Sequence, residues 1–134
     1  MLERLHLKLI TPGDTIFDDH CYSVTMPGSE GQFMVFSGHM DYLSTLGLGI
    51  IEISINESAQ NHLYFYIKGG VVRVYDNICT VTVESALNKN NVDIKQIEQN
   101  LSNANELLSQ DGLRVNHKLR LLKEVEYYQM ILAL

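Results

Sequence analysis

The sequence predicts a mainly antiparallel β-sandwich followed by an antiparallel α-helical hairpin. Three observations carry this. Residues 5–87 consist of short apolar–polar alternations separated by turn clusters, with no connection long and helical enough for repeated crossovers. Beyond them, apolar residues recur every three or four positions, the period of a helix. The charge changes at the same place: residues 1–87 hold ten acids and four bases, whereas residues 88–134 hold six of each. The expected organisation is therefore a sandwich over 1–87 and a helical hairpin over 88–134.

The elements follow in order. Leu5, Leu7 and Leu9 alternate with His6 and Lys8, the signature of a half-buried strand. Thr11-Pro12-Gly13-Asp14 is a turn cluster. Tyr22, Val24 and Met26 alternate with Cys21, Ser23 and Thr25 up to a break at Pro27-Gly28. Phe33–Phe36 is wholly apolar, which predicts a strand covered on both faces. An irregular, glycine-punctuated stretch with Leu43, Leu46 and Leu48 precedes Ile51, Ile53 and Ile55 on one face. Residues 63–67 and 71–75 read as two strands of a tight hairpin joined through Gly69-Gly70, and Asp76-Asn77 turns into a strand over 78–83.

The tail reads as two helices. Ile94, Ile97, Leu101, Ala104 and Leu108 form one narrow stripe, with Asp93 or Asn91 as N-cap and Gly112 as the stop. Val115, Leu119 and Leu122, continuing into Val125, Tyr128 and Leu132, predict the facing stripe of the second helix. The first helix is polar around most of its circumference, which predicts weak docking.

Composition narrows the function. The net charge of −6 is the wrong sign for a nucleic-acid footprint. Apolar runs are too short to span a bilayer, and Met1-Leu2-Glu3-Arg4 has neither a secretory nor a transit-peptide pattern. Two cysteines among strand residues, Cys21 and Cys79, read as buried reduced thiols.

No catalytic constellation emerges. Gly28-Ser29-Glu30-Gly31 lacks the Gly-Lys-Ser/Thr ending of a phosphate loop, so it reads as a turn presenting Glu30 and Gln32 to a partner. Asp18-Asp19-His20-Cys21 has ligand types for zinc, but neighbours in an extended segment point to alternate sides, and the stretch reads as a solvated acidic turn. Cys21, His39 and Asp41 have the residue types of a nucleophile, base and orienter without any local signature. Tyr64, Tyr66 and Tyr75 read as packing residues rather than base-stacking ones.

Four stretches together resemble the epsilon subunit family of the bacterial and chloroplast F-type ATP synthase, the mitochondrial delta subunit being its counterpart. They are Gly28-Ser29-Glu30-Gly31 followed by Gly38-His39, Leu43 with Gly49-Ile50-Ile51, Tyr66-Ile67-Lys68-Gly69-Gly70-Val71, and Asn77-Ile78-Cys79-Thr80-Val81 before Ala86. The resemblance implies a non-catalytic central-stalk subunit that turns with the rotor and couples proton flow to ATP synthesis. It implies that Glu30, Gly31 and Gln32 meet the membrane ring, and that Thr11, His39 and Met40 meet the gamma subunit. Gly28, Gly38, Gly69 and Gly70 would be structural turns. The hairpin would reach the alpha and beta subunits and inhibit ATP hydrolysis when extended.

Two departures stand out. Ser37 and Asp41 occupy positions where the family often has proline. Val92-Asp93 fits the start of the ATP-binding motif of some relatives, but Gln96 stands at the arginine position, removing the guanidinium that would clamp phosphate. Asp93 is thus the one nucleotide-site position retained. The expectation is no cofactor, ATP as a regulatory ligand being the open alternative. The expected location is peripheral, on the cytoplasmic face of a bacterial inner membrane. The alternative reading is a stand-alone sandwich binding a small ligand or peptide.

Overall fold

A computed structural model describes residues 4–57 and 60–133. The leader reading over Met1, Leu2 and Glu3 lies outside these residues. The strands are β1 (Leu5–Thr11), β2 (Asp14–Cys21), β3 (Ser23–Gly28), β4 (Gly31–Phe36), β5 (Tyr42–Leu46), β6 (Gly49–Ser54), β7 (His62–Ile67), β8 (Gly70–Tyr75), β9 (Ile78–Val83) and β10 (Ala86–Asn88). A 3-10 turn (Lys89–Asn91) leads to the helices α1 (Ile94–Leu108) and α2 (Val115–Ala133). Two compact units result, Met1–Asn90 and Asn91–Leu134.

The strand order is β10-β7-β6-β3-β5-β8-β9-β1-β2, with β4 paired to β3. All pairings are antiparallel except β1 with β9. The sheet doubles over to make a sandwich, and β3 is the strand at which it does so. Ser23–Thr25 pair with β6, while Gly28 pairs with Leu46 of β5. Alternate residues of each layer point inward. Leu5, Leu7, Leu9, Val24, Met26, Val35, Ile51, Ile53, Ile67, Val72, Val81 and their neighbours form one core, nearly all without solvent contact.

Several sequence expectations are corrected. Residues 63–67 and 71–75 are strands, but β7 pairs with β6 and β10 whereas β8 pairs with β5 and β9. Gly69-Gly70 is therefore a corner between layers, not a hairpin turn. Only Gly69 has positive φ, at 150°. Gly70 is needed for close approach: an added Cβ would lie 2.4 Å from the Thr82 carbonyl oxygen. The two-residue hairpin lies one turn later, at Asp76-Asn77, whose φ values of 51° and 62° are those of a type I′ turn.

The run Phe33–Phe36 is covered on one face only. Val35 is fully buried while Met34 and Phe36 are 47% and 42% exposed, because only the inner face of a sandwich layer is covered. The stretch Asp18-Asp19-His20-Cys21, read as an acidic turn entering a strand, is instead the second half of β2, an edge strand on which exposed polar side chains are at home. The irregular stretch after His39 contains β5.

In the second unit, Asp93 caps α1, its side chain accepting from the backbone N–H groups of Lys95 and Gln96. Gly112, with φ of 82°, follows the end of α1. Ala104, with Leu101 and Leu108, packs against Leu121 and Val125 of α2. Ile94, expected in the stripe, is 49% exposed. Val115, Leu119 and Leu122 also face solvent. A spacing of three and four fits both 115-119-122 and 121-125-128, and only packing decides which row faces α1.

Candidate functional site

The exposed chemistry of the sandwich gathers in two places. The first is the β3–β4 turn. Gly28 and Gly31 face each other, leaving Ser29-Glu30 as a two-residue loop. Ser29 ties this loop to β5: its N–H donates to the Thr45 carbonyl at 3.3 Å, and its Oγ is 2.6 Å from Thr45 Oγ1. A Cβ on Gly28 would meet the Gly31 carbonyl at 2.6 Å. The loop is thus stiffly held, with Glu30, Gly31 and Gln32 all exposed at its tip. Rigid placement with exposed polar groups suits contact with another polar surface.

The second place is the far end of β4, where Ser37–Asp41 lead into β5. Asn77 holds this loop, its Oδ1 accepting from the Gly38 N–H at 2.9 Å and the Ser37 hydroxyl at 3.2 Å. Its Nδ2 donates to the Arg4 carbonyl. His39 donates from Nδ1 to the Met40 carbonyl at 2.7 Å, and its ring meets Tyr42 edge-on at 5.9 Å. Gly38 has φ of 84°. Met40 is 77% exposed and Leu43 70%. Beside them lies a shallow depression of about 530 Å³ lined by Asp41, Tyr42, Leu43, Arg73, Val74 and Tyr75. The Arg73 guanidinium sits 5.4 Å from the centre of the Tyr75 ring.

His39 and Met40 are therefore neighbours, but Thr11 is not with them. It ends β1 beside Ile10, which pairs with Thr82; Thr82 pairs with Val71, and Val71 with Thr45. This is the end that carries the Ser29-Glu30 turn. A partner touching Thr11, His39 and Met40 together has to run along the outer face of β5, β8, β9 and β1. That face presents Leu43, Val71, Tyr75 and Ile78, each at least 38% exposed. Sequence reasoning missed this row. Its signal was the position of Val71, Arg73 and Tyr75, alternating with the buried Val72 and Val74.

The remaining candidates separate. Among the described residues no three His, Cys, Asp or Glu side chains form a metal cage. Cys21 is fully buried, with its thiol pushed up to about 11 by burial, and Cys79 is pushed up to about 12 for the same reason. His39 and Asp41 lie in the exposed loop, Cys21 in the core. In the native protein both thiols will react with a soluble disulfide reagent at pH 8 at least about 100-fold slower than a free thiol, Cys79 the slower of the two, and at full rate once unfolded in urea. Rapid native labelling of Cys21 would instead support a thiol nucleophile. Tyr75 is exposed; Tyr64 donates to Glu52 at 3.2 Å and lies under the Lys89 ammonium. The Gln96 side chain is turned to Asn100, donating at 2.9 Å.

Residues 4–89 match the model of the ATP synthase, Delta/Epsilon chain, beta-sandwich domain. The chain belongs to this family. Among delta/epsilon-type relatives, the ATP synthase epsilon chain of Nitratidesulfovibrio vulgaris (strain DP4) is 32% identical over 87% of this chain and 85% of its own. In solved structures the fold recurs in the Euglena gracilis mitochondrial ATP synthase, with a TM-score of 0.78 and 18% identity over 99% of this chain and 82% of that one. It recurs again in the central stalk and c-ring of the Tetrahymena thermophila mitochondrial ATP synthase, at TM-score 0.70 and 19% identity over 98% and 96%. No helix among the described residues of this delta/epsilon-type subunit is long and apolar enough to cross a membrane. The family model accounts for the sandwich, and the Nitratidesulfovibrio alignment, 117 residues long, extends beyond it into the helices.

Proposed function

We propose that this chain is a non-catalytic rotor subunit of a proton-translocating F-type ATP synthase, coupling proton flow to ATP synthesis. Membership of the delta/epsilon family carries the reading, and the two exposed regions of the sandwich give it a mechanism. The apolar face of β5, β8, β9 and β1 docks on the gamma subunit. The Ser29-Glu30 turn, with Gly31 and Gln32, bears on the polar loops of the membrane ring. A stiff body with contacts at one end and along one face passes torque between neighbours without binding a substrate.

The hairpin supplies regulation. Between Gly112 and Lys123 the chain carries Arg114 just ahead of α2, Lys118, Arg120 and Lys123 within it, and no acid. The exposed Val115, Leu119 and Leu122 lie among them. A cationic flank with an apolar row suits acidic surfaces of the alpha and beta subunits, where the helices restrain ATP hydrolysis. Asp93 serves as a helix cap and Gln96 cannot clamp phosphate, so the reading assigns no nucleotide or other cofactor to the chain. The location that goes with this role is peripheral, on the cytoplasmic face of a bacterial inner membrane.

Glu30→Lys tests the ring contact. It will slow proton-driven ATP synthesis by reconstituted complexes several-fold while leaving the stability of the isolated chain within about 0.5 kcal/mol, since Glu30 is exposed at a loop tip. Wild-type synthesis by the mutant complex sinks that assignment. Co-purification from detergent-solubilised membranes separates the rotor role from a stand-alone binding module: the chain comes out with alpha, beta and gamma in the first case and alone in the second.

A further inference from the structure

The ribbon of β1 and β2 brings two imidazoles and a carboxylate together on the outer side of the sheet, at the margin of the face assigned above, where His6 is the register partner of Ile78. His6 and His20 are directly opposite in the antiparallel register. Their ring centroids are 4.8 Å apart, with the planes at 53°. His6 Nε2 lies 2.5 Å from Asp18 Oδ1. Asp18 precedes His20 by two residues on the same strand and so shares its side of the sheet. The Asp19 carboxylate is 3.9 Å from His20 Nδ1. An ion would take the lone pairs of His6 Nδ1 and His20 Nε2, the ring nitrogens that these carboxylates do not contact.

A spacing of 4.8 Å leaves room for two imidazoles to bind side by side to one ion. Divalent zinc takes an imidazole nitrogen at about 2.1 Å, which places the ion roughly 3.2 Å from each ring centre. Two centres 4.8 Å apart then subtend about 100° at the ion, between square-planar and tetrahedral values. We propose that His6 and His20 form a two-imidazole clip for a divalent transition-metal ion of the zinc, nickel or copper class, with Asp18 as the positioning residue that fixes the His6 ring.

The carboxylate–histidine arrangement fixes the tautomer and orientation of the ring. Asp18 and Asp19 offset the charge of the ion, and Lys8, opposite Asp18 in the register, is the cation nearest in that ladder. Along β9 the partners of His6 and Lys8 are Ile78 and Thr80, neither of them charged. With two protein ligands rather than three, water fills the remaining positions and the ion exchanges readily. Its structural consequence falls on β2, an edge strand whose one partner is β1: the ion ties the two together across the ladder.

Titrating the untagged full chain with Zn2+ alone, by calorimetry and by 15N signals of the histidine rings, tests the clip. One equivalent will bind, with the metal-induced shifts at His6 Nδ1 and His20 Nε2. Asp18→Asn will weaken binding 10- to 100-fold and change the ratio of His6 tautomers in the metal-free spectrum. His20→Asn will lose the site, whereas His117→Asn will leave affinity unchanged. At free Zn2+ about 100 times Kd, the folding equilibrium constant will rise about 100-fold in the wild type and stay put in His20→Asn. A Kd weaker than about 1 mM, or shifts at His39, His62 or His117 instead, overturns the proposal. If His20→Asn fails to fold, the wild-type ring signals alone decide.

Discussion

Leu43→Asp combined with Tyr75→Asp will lower the affinity of the chain for the gamma subunit at least about 100-fold, with little change in its own stability. Leu43 is 70% exposed and Tyr75 57%, so neither supports the core. Both border the depression between β5 and β8, and Tyr75 carries the Arg73 guanidinium over its ring. Central aromatic and apolar anchors commonly contribute 2 kcal/mol or more each to an interface, and about 2.7 kcal/mol is a hundredfold in Kd. Carboxylates at these places remove the apolar contacts and must also be desolvated on docking. Surface binding to immobilised gamma, with thermal unfolding of the same mutant as a control, reads the effect. Unchanged affinity with an unchanged melting temperature would move the gamma footprint off this face.

Gly70→Ala will destabilise the sandwich by about 2–3 kcal/mol, although it adds a single methyl. At the β7–β8 corner that methyl would lie 2.4 Å from the Thr82 carbonyl oxygen and 2.8 Å from a Val83 methyl. The first obstacle is paired backbone at the end of the β8–β9 ladder, where Gly70 pairs with Val83 and Val71 with Thr82. It cannot swing aside as a flexible side chain would. For a sandwich of this size the melting temperature should fall by roughly 10–20 °C. Gly13→Ala is the control, because a Cβ there meets nothing within 4 Å. Equal melting temperatures for the two variants would show that the corner relaxes freely.

What the sequence disclosed follows from which forces act locally. The leucines of β1, the isoleucines of β6 and the stripe of α1 are read by period alone, because burial of one face imposes it. The Asp93 cap is equally local. Partner choice is not. Residues 63–75 look like a hairpin, yet the chain turns through Gly69-Gly70 into the other layer, a decision made by the core beneath and not by the turn. β2 is written in acids because an edge strand has one uncovered side, so its alternation is weak. The second helix carries two overlapping apolar rows, and the facing surface of α1 selects between them.

The docking regions were legible in part. Glu30, Gly31 and Gln32 sit at a loop tip as a Gly-flanked turn suggests, and the exposed Met40 follows a half-buried His39 whose ring meets Tyr42. Thr11 was expected in their company but lies at the opposite end of the face. Linear motifs mark which segments matter, while distance across a sheet depends on register. Asn77 escaped notice for the same reason: its grip on Ser37, Gly38 and Arg4 joins segments about 40 and 73 positions apart in the chain.

Because β3 is hydrogen-bonded to β4, β6 and β5, the two layers are stitched by main chain as well as pressed together by side chains. A load arriving at the Ser29-Glu30 tip enters both layers through one strand, and slippage of one over the other would require rupturing backbone bonds near Gly28. The body should therefore behave as a rigid wedge under twisting, so that elastic give in the rotor is stored in its neighbours.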